Sequence, residues 1–262
     1  VKEKLLRITL CIICYILVVT SKQIEIINNN KNIRENTLLH IESKNGDENN
    51  VRTLIKNGAD VHAFDTEGFK PIHLASKRGH VQVASCLLDN GAGMETRDIH
   101  AFTPLHHAAF AGQYEMAKYP MSNGANIEAI TEFGYTPLHL ASFSGHIGLV
   151  DEYVSNMGAN VEAVGYEGGT ALYLAWFGGH ADVANYLLKH GANVANSNIG
   201  DGDVSSSPLH LACKNNEPNV VGFLVNRGDD LNVVDIEGYT PLHRAVNVGN
   251  IEIVTFLIDR YV

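Results

Sequence analysis

Basic residues are the first shortage. The 262-residue chain carries 19 lysines and arginines against 29 aspartates and glutamates, a formal net charge of −10. Nucleic acid and anionic membrane surfaces both reward clustered cations, so neither is expected as the main partner. Cysteine is the second shortage, with four residues. Cys11 and Cys14 have the spacing of a redox or zinc pair, but they lie in an apolar run and no second pair accompanies them. No Asn-X-Ser/Thr sequon occurs. No Ser-His-Asp arrangement, phosphate-cradling glycine loop or paired-carboxylate constellation stands out. An enzyme is therefore not expected, nor a cofactor, nor a small-molecule substrate.

What is present is repetition. The stretch Gly134-Tyr135-Thr136-Pro137-Leu138-His139-Leu140-Ala141 recurs in related form along the chain. Its threonine position falls at 37, 70, 103, 136, 170, 207 and 240, in steps of 33, 33, 33, 34, 37 and 33 residues. A fixed period of this size signals stacked units, none of which can bury its apolar face alone. Each unit has one grammar. Proline just inside a helix start has a preset φ and lacks only an N–H that would be unpaired anyway. The preceding Thr can cap that end. A short helix, a glycine and a second helix follow, the latter with apolar residues at helical spacing, such as Val183, Ala184, Leu187 and Leu188. Gly-Ala pairs such as Gly58-Ala59 and Gly191-Ala192 then supply a left-handed cap.

These seven in-register copies resemble ankyrin repeats, over roughly residues 33–262. The resemblance implies an all-α repeat solenoid of stacked helix-turn-helix units with β-hairpin fingers. It also implies a concave face of fingertips and first helices that binds other proteins. Six units are full and the seventh is cut off in its second helix. Ala75, Ala108, Ala141, Ala175, Ala212 and Ala245 mark the site where neighbouring first helices approach closely; the first unit has Glu42 there and reads as an N-terminal cap. The apolar end Phe256-Leu257-Ile258 lacks a polar closing unit, so the natural protein is expected to continue. Cys86 and Cys213 fall in repeats two and six, about 40 Å apart at roughly 10 Å per layer, too far to pair.

Ahead of the repeats, residues 1–21 form an apolar leader. Lys2, Lys4 and Arg7 precede the run Ile8 to Val19, the pattern of a secretory signal; a membrane anchor and translated non-coding sequence are the other readings. Secretion follows from a genuine signal, a cytoplasmic location otherwise, and membrane contact only from an uncleaved leader. Residues 22–32 read as a polar linker.

Thirteen histidines invite a metal reading. Six of them (His40, His73, His106, His139, His210 and His243) hold the motif's fourth place, and ligands a repeat apart cannot converge on one ion. Hydrogen bonding between adjacent units is expected of them, and no metal site. The run Asn196 to Asp203 has calcium-like composition without EF-hand spacing and reads as a longer finger. Pro120, in a second-helix position, predicts a kink or weak point in repeat three. Met157 is a one-residue insertion.

The variable positions carry the functional signal. Just before the inter-helix glycine, repeats three to five have Phe110, Phe143 and Phe177, where other repeats have Lys44, Lys77, Lys214 and Asn247. Their fingertips have Phe102, Phe133, Tyr135 and Tyr166. Under the implied geometry these seven aromatics face solvent on three consecutive layers, and aromatics anchor protein interfaces. The alternative is that the rings pack along the stack and stabilise it. The expected function is a non-catalytic scaffold binding a protein or peptide partner there. The second reading is the ankyrin segment of a larger secreted toxin-like or membrane-channel protein whose effector part lies beyond residue 262.

Overall fold

The computed structural model describes residues 33–122, 124–165, 168–193 and 207–260. The leader, the linker, Tyr166 and the run Asn196 to Asp203 lie outside them. From repeat two onward each repeat motif begins a helix, in repeat one the motif lies inside it, and each inter-helix glycine ends one. The pairs are α1 (Ile33–Asn45) and α2 (Glu48–Lys56), α3 (Pro71–Arg78) and α4 (Val81–Asp89), and α5 (Pro104–Phe110) and α6 (Tyr114–Ser122). There follow α7 (Pro137–Phe143) and α8 (Ile147–Asp151), α9 (Ala171–Gly178) and α10 (Ala181–Lys189), α11 (Pro208–Lys214) and α12 (Pro218–Arg227), and α13 (Pro241–Val248) and α14 (Ile251–Ile258). No helix of the described residues is long and apolar enough to cross a membrane.

Two compact units divide the chain within repeat three. One holds the residues up to Ala108 with Glu115–Ala125, the other Ala109–Tyr114 with everything from Asn126. In the first, α1 packs on α3 and α2 on α4. In the second, α7, α9, α11 and α13 pack in succession, as do α8, α10, α12 and α14. The alanines sit where predicted: Ala75, Ala108, Ala141, Ala175 and Ala245 are fully buried, and a larger side chain there would push the first helices apart. Glu42 at the same site of repeat one is partly exposed, as a cap requires.

The fingers are shorter than the resemblance implies. No strand forms among the described residues, and Val164–Thr170 is an isolated bridge. The described fingers are closed instead by a backbone bond across a turn, as in Asp65 N–H to Phe69 C=O (2.8 Å), Thr131 to Tyr135 (3.0 Å) and Asp235 to Tyr239 (2.9 Å). The turn's own Asp accepts further N–H groups, as Asp98 Oδ1 does from His100 and Phe102, both at 2.9 Å. A side chain that satisfies the turn from within removes the need for a ladder.

The motif histidine joins one repeat to the next. His139 Nδ1 accepts the Thr136 N–H at 3.1 Å, so the ring proton is assigned to Nε2, which donates to Gly169 C=O at 3.1 Å. His73 does the same between Lys70 N–H (3.0 Å) and Thr96 C=O (3.2 Å). A second proton would destroy the acceptor, and both rings are buried. Burial, with no full counter-charge, depresses His139 to about 4, and burial plus neighbouring His107 depresses His73 to about 3.

Two irregularities are absorbed locally. After α8 the chain makes a π turn, Glu152–Asn156, with Met157 N–H on Glu152 C=O at 3.1 Å. A π turn spends one residue more than an α turn, which takes up the Met157 insertion. Pro120 lies in the last turn of α6, which still runs as α-helix to Ser122, so the lost rung is confined to that end.

A third irregularity changes the chemistry of a joint. After the inter-helix glycine, His80 Nε2 donates to Lys44 C=O and His146 Nε2 to Phe110 C=O, both at 3.1 Å. Their rings lie where a β-carbon on Gly46 or Gly112 would be 2.6 Å away, and both glycines have positive φ (82° and 70°). Only glycine meets both demands. In repeat six this place belongs to Glu217, with Oε1 3.4 Å from the position of a Gly179 β-carbon. By register the carbonyl that a histidine at this place would reach is Phe177 C=O. A carboxylate cannot donate, and both Glu217 oxygens are buried without a partner among the described residues. Burial first, then Asp182 on α10, raises the carboxyl to about 7.

Two predictions follow opposite signs. The histidines are depressed, so their stability is present above 6.5 and lost as pH falls through the folded values. Ring-proton shifts of His139 and His73 should titrate near 4 and 3; midpoints near 6.5 would show that the joints are open. Glu217 is raised, so its contribution is full below 4.5 and lost as pH rises through about 7. Glu217→Gln donates at every pH, so its urea midpoint should overtake that of the native chain between pH 5 and 8. An unchanged difference across that range would refute the assignment.

Candidate functional site

The C-terminal ends of α5, α7 and α9 carry Phe110, Phe143 and Phe177 at one register position, and each ring is partly exposed. All three belong to the second compact unit. The helices must stop here because Gly112, Gly145 and Gly179 take positive φ (70°, 75° and 80°), which leaves the preceding side chain at the rim. Phe143 and Phe177 stack across repeats, centroids 6.2 Å apart and planes 25° apart. Tyr173 continues the row, 6.2 Å from Phe177 at 21°. The sequence reading missed Tyr173 as a member. Its signals were present: it replaces the motif histidine and stands one helical turn before Phe177, where side chains meet. Phe133, on the finger of repeat four, is also partly exposed.

Two of the seven predicted aromatics do not reach the surface. Phe102 is 5% and Tyr135 3% exposed. Both directly precede the capping Thr, and finger closure turns that position inward. Phe102 packs on His106 and His107, with centroids 5.7 and 5.6 Å away. Tyr135 packs on His139 (5.6 Å) and fills the space of a β-carbon at Gly165, which would be 2.5 Å from its Cδ1. The expectation that these two face solvent is therefore corrected: they are core residues of their fingers. Tyr166 lies outside the described residues.

Elsewhere the polar groups serve structure. His107 Nε2 pairs with Asp98 Oδ2 at 2.9 Å, buried against Phe69, Phe102 and His73. Arg244 pairs with Asp235 at the equivalent place in repeat seven. Asp151, Ser155 and Tyr186 form an exposed network, with Tyr186 O–H donating to Asp151 at 2.6 Å. No group of three or more His, Cys, Asp or Glu able to hold a metal ion occurs among the described residues. Cys86 and Cys213 are free and buried, and burial drives the Cys213 thiol up to about 12, where it is no nucleophile at neutral pH.

Paired helices closed by short turned fingers, with a variable aromatic row at the helix ends, define a repeat array of the protein-interaction class. The family description "Ankyrin repeats (3 copies)" matches residues 13–98, 39–131, 105–198 and 194–262. This chain belongs to the ankyrin-repeat family. Among solved structures it is similar to the human ASB11 ankyrin repeat domain, with a TM-score of 0.71 and 27% identity, over 85% of this chain and 96% of that one. Among curated proteins it is similar to the palmitoyltransferase AKR1 of Lachancea kluyveri, 30% identical over 29% of this chain and 10% of that protein. It is similar to the putative palmitoyltransferase ZDHHC13 of Danio rerio, 35% identical over 30% of this chain and 12% of that protein. Human ankyrin repeat domain-containing protein 37 is 34% identical over 29% of this chain and 47% of its own length. The matches thus span from a tenth to about half of these three curated proteins.

The stacked rings should contribute to stability on their own. A double-mutant cycle of Phe143→Ala and Phe177→Ala, measured by urea unfolding, should give a coupling of about 0.5–1.5 kcal/mol. A coupling of zero would mean that the two rings do not support each other.

Proposed function

We propose that the chain is a non-catalytic scaffold that grips a protein or peptide partner through the aromatic row of repeats three to five. The observation that carries this is the row itself. Three consecutive repeats place a partly exposed phenylalanine where the others place lysine or asparagine. A position that only packs one repeat on the next has no reason to vary by blocks, whereas a docking surface does. Phe133 extends the row toward the fingers, and Tyr173 widens it. Large rings there desolvate much area at little entropic cost, which is what interface anchors do.

A second reading is that the array is the ankyrin segment of a larger protein, as the stretches it matches are in two palmitoyltransferases, 10–12% of each. In that reading chemistry belongs to another domain and the array recruits what the domain acts on. The apparent mass of the native protein on an immunoblot separates the two.

The test is a pull-down with the whole chain, comparing it with Phe110→Ala plus Phe143→Ala. The double variant should lose the partner. Its melting temperature should fall only about 2–4 °C, as expected for the loss of a stack contributing about 1 kcal/mol. Capture of the same partner by both proteins removes the row from recognition. A fall beyond 10 °C, roughly three times that expectation, would instead make the rings core.

A further inference from the structure

The three phenylalanines of the row each stand on a joint to the next repeat. The last carbonyls of a helix have no partner inside it, so the following repeat is placed to serve them. At Phe110 this falls to His146, whose Nε2 donates to the Phe110 C=O at 3.1 Å. At Phe143 it falls by register to His180, whose ring fills the space of a β-carbon on Gly145. At Phe177 the loop of repeat six is built differently. Asn216 stands in the glycine's place with left-handed backbone, φ 63°, and Glu217 in the histidine's. Asn215 Nδ2 donates to the Trp176 C=O at 2.6 Å, which clamps this loop to the last turn of α9.

Glu217 completes the clamp from a buried place. It is 8% exposed, and neither carboxyl oxygen has a partner among the described residues. α9 carries no charged side chain. α10 begins with His180 and Asp182, α11 ends with Cys213 and Lys214, and α14, packed on α12, begins with Glu252. Of these, Asp182 is the one whose charge adds to burial in raising the carboxyl. In this slot a neutral carboxyl is a hydrogen-bond donor, the kind of group that the other joints place there. An ionised one has no proton to give, is costly to bury, and meets the negative end of the α9 dipole. Ionisation therefore sends the side chain out to water or pushes the end of α9 away from it. Either movement loosens the turn that carries Phe177.

We infer that Glu217 is an acid latch on the docking row: its neutral carboxyl seats repeat six against the end of α9 and holds Phe177 in line with Phe143, and its ionisation releases that end. The inference rests on the reading of the row as the docking surface and adds how pH regulates it. A raised carboxyl keeps the latch fully closed below 4.5 and opens it as pH rises through about 7.

Trp176, the only tryptophan, reports on the latch. Its ring is buried, it directly precedes Phe177, and its carbonyl is held by Asn215. In the full chain its emission should move to longer wavelength between pH 5 and 8, with a midpoint near 7. Glu217→Gln, neutral throughout, should hold the emission still. Glu217→His, which restores the slot residue of the other joints, should hold it still above pH 7, and melting temperatures at pH 5 check that both variants fold. Emission that stays fixed in the native chain, or moves alike in Glu217→Gln, overturns the inference.

Binding is read with peptides from a random twelve-residue display library, selected on the native chain at pH 6 and kept where Phe110→Ala plus Phe143→Ala abolishes capture. With the carboxyl at about 7, about a tenth of the molecules are latched at pH 8, so these peptides should bind about tenfold more weakly there than at pH 6. On Glu217→Gln they should bind equally at both. Equal binding at both on the native chain overturns the latch while leaving the docking surface in place. A library that yields no ring-dependent peptide brings down the docking surface, and the latch's purpose with it.

Discussion

A single proton position holds successive repeats together. The Thr136 N–H, left over at a helix start, takes Nδ1 of His139, and that choice sends the ring's proton to Nε2 and on to Gly169 in the next finger. His73, His40 and His210 reach the following finger in the same way. The bond is worth little by itself, but its buried donor cannot be left unsatisfied, so the next repeat must be present and in register. Everything else in the fold, from the alanines at the helix crossing to the glycine before the second helix, keeps neighbouring repeats near enough for that contact.

On that repetitive frame, the informative positions are those that the contact does not use. The side chains at the ends of α5, α7 and α9 take no part in the motif-histidine bonds, so their identity is free to answer an outside demand. Stacking and recognition are not rivals there. A ring held in place by its neighbour loses less entropy when a partner lands on it, and preorganisation of this kind favours binding.

The architecture was legible in the sequence because its rules are local and stated seven times. A helix start, a glycine break and a capped end each depend on a few adjacent residues. The histidine role was legible too, since ligands a repeat apart exclude a common metal. The aromatic surface was read less well. Phe102 and Tyr135 look like fingertip residues by position, yet the pull of Asp98 and of Thr131 on the turn N–H groups rotates them inward. That rotation depends on side-chain hydrogen bonds within the turn, which a count of positions does not reveal. Glu217 was equally invisible. It becomes unusual only when set against His80 and His146 in their slots, a comparison that needs the carbonyls they touch.

An added residue in an α-helix turns everything after it by about 100°. In a stack, such a rotation would be handed to every later layer. Here the wide turn at Glu152–Asn156 stops it within repeat four: Ala159 N–H closes on Tyr153 at 2.9 Å, as Ala192 N–H closes on Leu187 at 3.0 Å one repeat later. The insertion leaves no trace in the phase of the helices that follow. A repeat of this kind is thus a unit of error containment as well as of packing, able to gain a residue without disturbing the surface that its neighbours present.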